Sequence, residues 1–135
     1  MATLNKFNSF VEALSEKAHD LGSDQLVIAL TNTIPVAANT VLADITEIAY
    51  TNLSSRNVTT SSSAQTSGTY KLTLADLVLT ASGAVATFQY VVLYNDTATN
   101  NELIGWADYG STVTLSSGET FTIDFDGAAG ALTLV

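Results

Sequence analysis

Carboxylates supply most of the side chains in this sequence that could do chemistry. Thirteen Asp and Glu accompany four Lys and Arg and one histidine, His19, and there is no cysteine. Without cysteine, disulfides and thiolate metal sites are excluded. A zinc site based on histidine needs several ligands, and no G-x-S-x-G nucleophile motif accompanies His19. We therefore expect no catalytic residue and no enzymatic activity, and we predict that His19 is a solvated residue on a helix.

Asp124 and Asp126 form the most site-like pair of carboxylates, in the run Asp124-Phe-Asp-Gly127. Strand alternation places both on one side of a strand that ends in a turn, and calcium prefers clustered oxygen ligands. The other ligands of a calcium loop do not follow in the sequence, and Asp and Gly are common turn residues. We interpret the pair as part of a turn, and we expect no metal and no cofactor.

Four aromatic residues, Tyr90, Tyr94, Trp106 and Tyr109, lie in or beside two predicted central strands. In a sugar-binding module, such residues form a stacking platform. They can equally anchor a core or a protein interface without any ligand, and we favour this interpretation. Tyr94, Trp106 and Tyr109 are therefore candidate interface residues.

One segment near the N-terminus has helical periodicity. Its apolar residues recur at steps of three and four, which predicts a helix over 7–21 that is capped by Thr3 or Asn5 and stopped by Gly22; they are Phe7, Phe10, Val11, Leu14, Ala18 and Leu21. This stripe can pack on the domain's own sheet or dock on a neighbouring subunit. Phe7, Phe10, Val11 and Leu14 are therefore also candidate interface residues.

After Gly22 the pattern is one of short strands and turns. Gln25 to Thr31 is an apolar run typical of a strand buried on both faces, and Thr87 to Tyr94 is the richest run of β-forming residues. Residues 32–43 should be irregular, residues 45–50 could form a helical turn or a strand, and residues 54–68 an exposed loop or edge segment. Further strands are predicted at residues 70–74, 77–80, 103–106, 113–115, 121–125 and 131–135.

About eight short strands with Gly-, Asn- and Asp-rich turns indicate an all-β protein, an antiparallel β-sandwich or jelly roll. The length of 135 residues suits one domain, 1–135, with an N-terminal helix over 1–22 and the sandwich over 23–135. Charged residues make up only 13% of the chain, which indicates that a partner covers part of its surface.

The net charge of −9 opposes binding to nucleic acid and to anionic membrane surfaces, since few cations are present to replace counterions. No run approaches the roughly 20 apolar residues of a membrane span, and the N-terminal residues lack the apolar run of a signal peptide. We therefore expect no nucleic-acid partner, no membrane partner and no secretion signal.

Seven segments along nearly the whole chain resemble a family of small virion structural proteins of tailed bacteriophages. They are residues 6–12 (KFNSFVE), 27–33 (VIALTNT), 41–48 (VLADITEI), 64–70 (AQTSGTY), 90–97 (YVVLYNDT), 103–106 (LIGW) and 118–125 (GETFTIDF). Similar proteins have a glycine-rich segment where this chain has residues 50–56, which are shorter and lack glycine. The conformation there is expected to differ.

The resemblance implies a non-enzymatic capsid decoration (cement) protein, with no active-site residues to transfer. It further implies that the protein is made in the host cytoplasm, binds the major capsid protein on the outer surface of the capsid, and is a homotrimer in preference to a homodimer. The alternative is a carbohydrate-binding, receptor-binding or tail-associated virion module.

Overall fold

The computed structural model describes residues 3–135. Its strands are β1 Asn5–Lys6, β2 Leu26–Thr31, β3 Asn57–Val58, β4 Thr60–Thr66, β5 Thr69–Leu74, β6 Leu77–Thr80, β7 Phe88–Asn95, β8 Leu103–Val113, β9 Thr120–Ile123 and β10 Leu132–Leu134. They form antiparallel sheets with the orders β1-β8-β7-β2-β3, β10-β5-β4 and β6-β9. The predicted all-β antiparallel sandwich is confirmed.

The five-stranded sheet lies at the centre of the molecule. Its inner face packs on the two smaller sheets, where Ile28 and Leu93 share a core with Leu72, Leu79 and Ile123. Its outer face is covered by a second, smaller cluster, which consists of Phe7, Val27, Ala29, Ile45, Val92, Tyr94 and Leu103 with Leu42 and Trp106 at its border. Every residue of β2 is buried, as its uninterrupted apolar run predicts.

The helix is much shorter than predicted, because α1 covers only Phe10–Ser15 and Ser9 occupies its N-cap position. Lys17 has a positive φ of 69°, and the N–H of Ala18 bonds to the carbonyl of Ala13. This is the Schellman arrangement that ends helices, here with lysine where glycine is usual. No helix within residues 3–135 has the length and apolarity needed to cross a membrane.

The segment before α1 is a strand rather than the start of the helix. β1 pairs with β8 at Trp106 and Gly105. A Cβ at Gly105 would lie 2.7 Å from the carbonyl oxygen of Asn5, so the close approach of the two strands requires glycine here. Phe7 belongs to the outer cluster and Phe10 to the inner core, so the chain crosses the sheet edge between them. The predicted division into a 1–22 helix and a 23–135 sandwich is therefore wrong at its N-terminal part.

Two further local predictions need correction. β8 runs without a break from Leu103 to Val113, where the sequence predicted two separate strands over 103–106 and 113–115. Gly110 adopts a φ of 80° within the strand. Residues 45–50 form neither a helix nor a full strand. The isolated bridge from Glu47 to Thr31 and the hydrogen bond from the N–H of Ile48 to the carbonyl of Leu30 join them to β2.

The exposed segment of residues 54–68 contains an edge strand, β4, that forms a hairpin with β5. Ser67 and Gly68 have φ values of 50° and 84°. Positive φ at both central residues defines the type I′ turn, which matches the twist of a two-residue hairpin. Thr66 and Thr69 are paired directly beside the turn, which fixes the register of the hairpin.

Candidate functional site

The aromatic residues of the central strands do not form one platform. Tyr94 and Trp106 lie on the outer face, where the Trp106 ring is 4.6 Å from that of Phe7 between centroids. Tyr109 lies on the inner face, where its ring meets Phe121 edge-on at 5.0 Å. The spacing of three residues between Trp106 and Tyr109 already places them on opposite faces of a continuous strand. A shared sugar-stacking surface is therefore not formed.

Most of the candidate interface residues belong to the chain's own core. Phe7, Phe10 and Tyr94 are buried, with exposed fractions of 0%, 3% and 4%. These three are removed from the candidate interface, since a partner cannot reach them. Leu14, Trp106 and Tyr109 are half-buried. Val11, on the solvent side of α1, is exposed at 47% and is the most accessible of the set.

The carboxylates of Asp124 and Asp126 accept hydrogen bonds from the backbone of their own turn. The N–H of Asp126 bonds to Asp124 Oδ1 at 2.8 Å, and the N–H groups of Ala128 and Ala129 bond to Asp126 Oδ1. These contacts are those of turn residues. Among residues 3–135, no cluster of three or more His, Asp or Glu is arranged to hold a metal ion.

His19 is buried, contrary to the prediction of a solvated residue, with only 5% of its surface exposed. Asn95 Nδ2 lies 3.0 Å from His19 Nδ1 and donates to Asp24 Oδ2 at 2.6 Å. Asn95 Oδ1 accepts from the N–H groups of Thr97 and Ala98, which fixes the orientation of the amide. Nδ1 is therefore an acceptor, and the ring proton lies on Nε2.

The neutral form of His19 is the one that this site favours. Burial lowers the pKa of His19 from its ordinary value of 6.5, while the nearby carboxylates of Glu102 and Asp24 act in the opposite direction. Nε2 is buried without a hydrogen-bond partner among the described residues. Packing of the ring against Phe10, at 5.3 Å between centroids, holds it in place. The ring is thus held between Phe10 of α1 and Asn95 of β7.

An open groove of about 430 Å³ lies beside this cluster and is lined by Leu14, Leu21 and Leu134 together with Lys17. Ser63 and Tyr70 also line it, and their hydroxyl groups hydrogen-bond to each other at 2.8 Å. His19 and Asp20 complete the polar part of the lining. The groove thus combines leucine side chains with one cation, one carboxylate and an imidazole, and its two hydroxyl groups are already paired with each other.

Arg56 holds the 45–56 segment against β2. Its guanidinium carbon lies 3.6 Å from the centre of the Tyr50 ring, and the Tyr50 hydroxyl donates to Glu47 at 2.6 Å. The same hydroxyl accepts from the N–H of Leu30, in β2. Burial, with the bond to Glu47, raises the pKa of Tyr50. The only arginine of the chain is therefore engaged in the fold.

The most accessible of the longer strands is β4, in which six of seven residues are exposed. No charged residue occurs from Asn57 to Tyr70, so that β4 and its turn present only Ser, Thr, Ala, Gln and Gly to solvent. The sequence indicated an exposed edge or loop here but did not single it out as a binding surface. The absence of charged residues from a segment predicted to be exposed is the sequence feature that could have identified it as a binding surface.

Comparison with known proteins gives no relative. No family model, no curated protein and no solved structure matches this chain. A function must therefore follow from the chain's own composition, its exposed surfaces and the buried groups that hold them in place.

The buried neutral state of His19 predicts a specific pH dependence of stability. Because the pKa of His19 is lower in the folded chain than in the unfolded one, its stabilising effect is complete above about pH 6.5 and declines as the pH falls below that value. Each pH unit in this window should cost at most about 1.4 kcal/mol of unfolding free energy.

The matched variant for this test is His19→Gln, which keeps a neutral acceptor for Asn95 but does not titrate. Urea unfolding of both proteins between pH 7 and pH 5 should give a smaller pH slope for His19→Gln. Equal slopes would mean that His19 titrates normally in the folded protein.

Proposed function

We propose that this protein is a structural component of a tailed-phage virion that binds the assembled capsid shell from outside and strengthens it. The sequence resemblance suggests the class of protein. The observation that carries the proposal is the exposed uncharged surface on a rigid β-sandwich, because a surface of this kind suits contact with another protein.

The exposed apolar side chains are spread over several elements. The loop after β2 presents Ile34 and Val36 on either side of the buried Pro35. Val78 on β6 and Val11 on α1 add further exposed apolar groups. Together with the uncharged β4, they supply contact area that carries a low desolvation cost, since few charges lose water on binding.

The net charge of −9 favours the outside of a capsid over its inside. The inner surface of a filled capsid faces densely packed DNA, and the phosphate charge there repels an acidic protein. The outer surface imposes no such cost. The major capsid protein is therefore the proposed partner, and nucleic acid is not.

A symmetric homo-oligomer fits this role, because a shell repeats the same local surface around each symmetry axis. After the first contact, further contacts form at an effective concentration in roughly the millimolar range, so avidity grows without any strong single contact. A trimer on three-fold axes is the first geometry proposed from the resemblance, and a dimer on two-fold axes is the second.

The alternative of a carbohydrate-binding or receptor-binding module has lost its main support. It required the aromatic residues to act together, whereas Trp106 and Tyr109 lie on opposite faces of β8. A glycan array tests this alternative independently, and selective binding to one class of glycan would revive it.

Cosedimentation with shells of the encoding phage tests the main proposal. The protein should pellet with assembled empty shells and should remain in the supernatant with unassembled capsid subunits, because only the shell offers the repeated array. Shells carrying the protein should also withstand heating or chelation better than bare shells. Failure to bind intact shells under any salt condition would reject the decoration role.

A further inference from the structure

The edge of the β10-β5-β4 sheet is open along β4. Among residues 3–135, this strand has β5 as its neighbour on one side and no strand on the other. In an antiparallel hairpin, alternate residues direct their N–H and C=O groups toward the partner strand and away from it. Thr66 and Thr69 flank the two-residue turn and form a hydrogen-bonded pair. At every second residue back from Thr66, at Ala64 and Ser62, the backbone N–H and C=O groups therefore also point toward β5. Ser63 and Gln65 therefore direct their backbone groups outward.

The usual means of protecting a sheet edge are largely missing from β4. Natural edges are guarded by charged side chains, proline, strong bulges or a covering segment. β4 contains no charge and no proline. Its register shift lies between Thr60 and Ser62, which leaves a regular stretch from Ser62 to the turn. A strand of this kind is a template for pairing with another strand.

Charge argues that the partner of this edge is a second copy of the same chain. Two copies with a net charge of −9 each repel one another over most of their surfaces. The stretch from Asn57 to Tyr70 is free of carboxylates, and the charged residues that flank it are the cations Arg56 and Lys71. Contact through β4 thus brings two acidic chains together along a strand that carries no charge of its own.

We infer that two copies join through their β4 strands in an antiparallel ladder across a two-fold axis, forming a continuous six-stranded sheet. A two-fold axis at Ala64 places Ser63 of each chain opposite Gln65 of the partner subunit. Each of these two residue pairs exchanges two backbone hydrogen bonds, which gives four in all. The two Ala64 residues then form a pair without hydrogen bonds, with Cα atoms about 4.5 Å apart. The small side chain at this position permits that approach.

This inference does not depend on the capsid role, and it selects the dimer over the trimer. It also predicts that added salt strengthens the dimer, because screening weakens the repulsion between the acidic copies. Light scattering of the full chain should give the mass of two chains. A strictly monomeric or a trimeric wild type would overturn the inference and leave the shell-binding proposal to its own test.

The decisive variant is Gln65→Pro, which removes a backbone N–H that points away from β5. Proline is tolerated at such edge positions, so circular dichroism and thermal unfolding should stay close to those of the wild type while the dimer is lost. The matched control is Gln65→Ala, which removes the same side chain but keeps the N–H and should remain dimeric. A dimer that survives Gln65→Pro would overturn the inference.

A second measurement does not depend on tolerance of proline. The chain has no cysteine, so Ala64→Cys introduces a single thiol at the proposed axis, where the expected Cα separation suits a disulfide. Mild oxidation should convert this variant rapidly to a covalent dimer. The control is Thr112→Cys, which places the thiol at an exposed position of β8 in the five-stranded sheet. This variant should stay monomeric on denaturing gels. Equal cross-linking of the two variants would contradict pairing through β4.

Discussion

Replacement of Phe10 by alanine should lower the free energy of unfolding by about 3–5 kcal/mol. The Phe10 side chain is only 3% exposed and lies in the main core between the sheets. Its ring also packs on that of His19. Removal of the ring therefore leaves a cavity beneath α1 and removes a packing partner of the buried imidazole. Urea unfolding followed by circular dichroism measures the change.

Val11→Ala is the matched control for this variant, because Val11 is the next residue of the same helix and is exposed at 47%. Its effect should stay below about 0.5 kcal/mol, the usual range for surface substitutions. If Phe10→Ala kept full stability but lost self-association, Phe10 would belong to a subunit interface and the placement of α1 against the core would be wrong.

Replacement of Asn95 by alanine should cost at least about 2 kcal/mol. Asn95 is completely buried, and its amide joins His19 and Asp24 to the turn at Thr97 and Ala98. Its removal leaves the buried ring nitrogen of His19 and several part-buried polar groups unpaired, and each buried group costs about 1–3 kcal/mol unless water reaches it. The measurement is the same urea titration at neutral pH.

Two further variants separate the donor and acceptor roles of the Asn95 amide from a general effect of substitution in this loop. Asn95→Asp keeps an acceptor for the turn but places a second carboxylate beside Asp24, so it should also be destabilising at neutral pH. Asn100→Ala, at an exposed position of the same loop, should have little effect. If Asn95→Ala unfolded at the same urea concentration as Asn100→Ala, the buried polar cluster would not support the fold.

The strands most rich in β-forming residues could be predicted because their apolar pattern is local. Residues 25–31 and 87–94 correspond closely to β2 and β7, which pair along six residue positions in the middle of the central sheet. Residues 70–74 and 77–80 likewise match β5 and β6. In each case, side-chain shape and alternation within a few residues favour the strand, and the tertiary contacts agree with that preference.

The helix predicted over 7–21 was wrong because its apolar spacing fits two structures. Such spacing occurs along one face of a helix, and also where a chain crosses a sheet edge and contributes residues to both faces. Phe7 and Phe10 are spaced as in a helix, yet one lies on each face of the central sheet, because the chain crosses the sheet edge between them. Lys17 ends α1 in a left-handed conformation that usually favours glycine. Packing of the segment against the sheet offsets this cost, and that packing is invisible in the local sequence.

The sequence alone thus determined the fold class, the acidic charge that opposes nucleic-acid binding, and the uncharged character of residues 57–70, since composition and alternation are properties of the chain itself. Only the tertiary structure decided that His19 is buried beside Asn95, that the aromatic residues divide between two faces, and that β4 lies at the edge of its sheet. Each of these depends on which strands become neighbours and in what register. Those choices are made by contacts between residues far apart in the chain, and a local pattern carries little information about them.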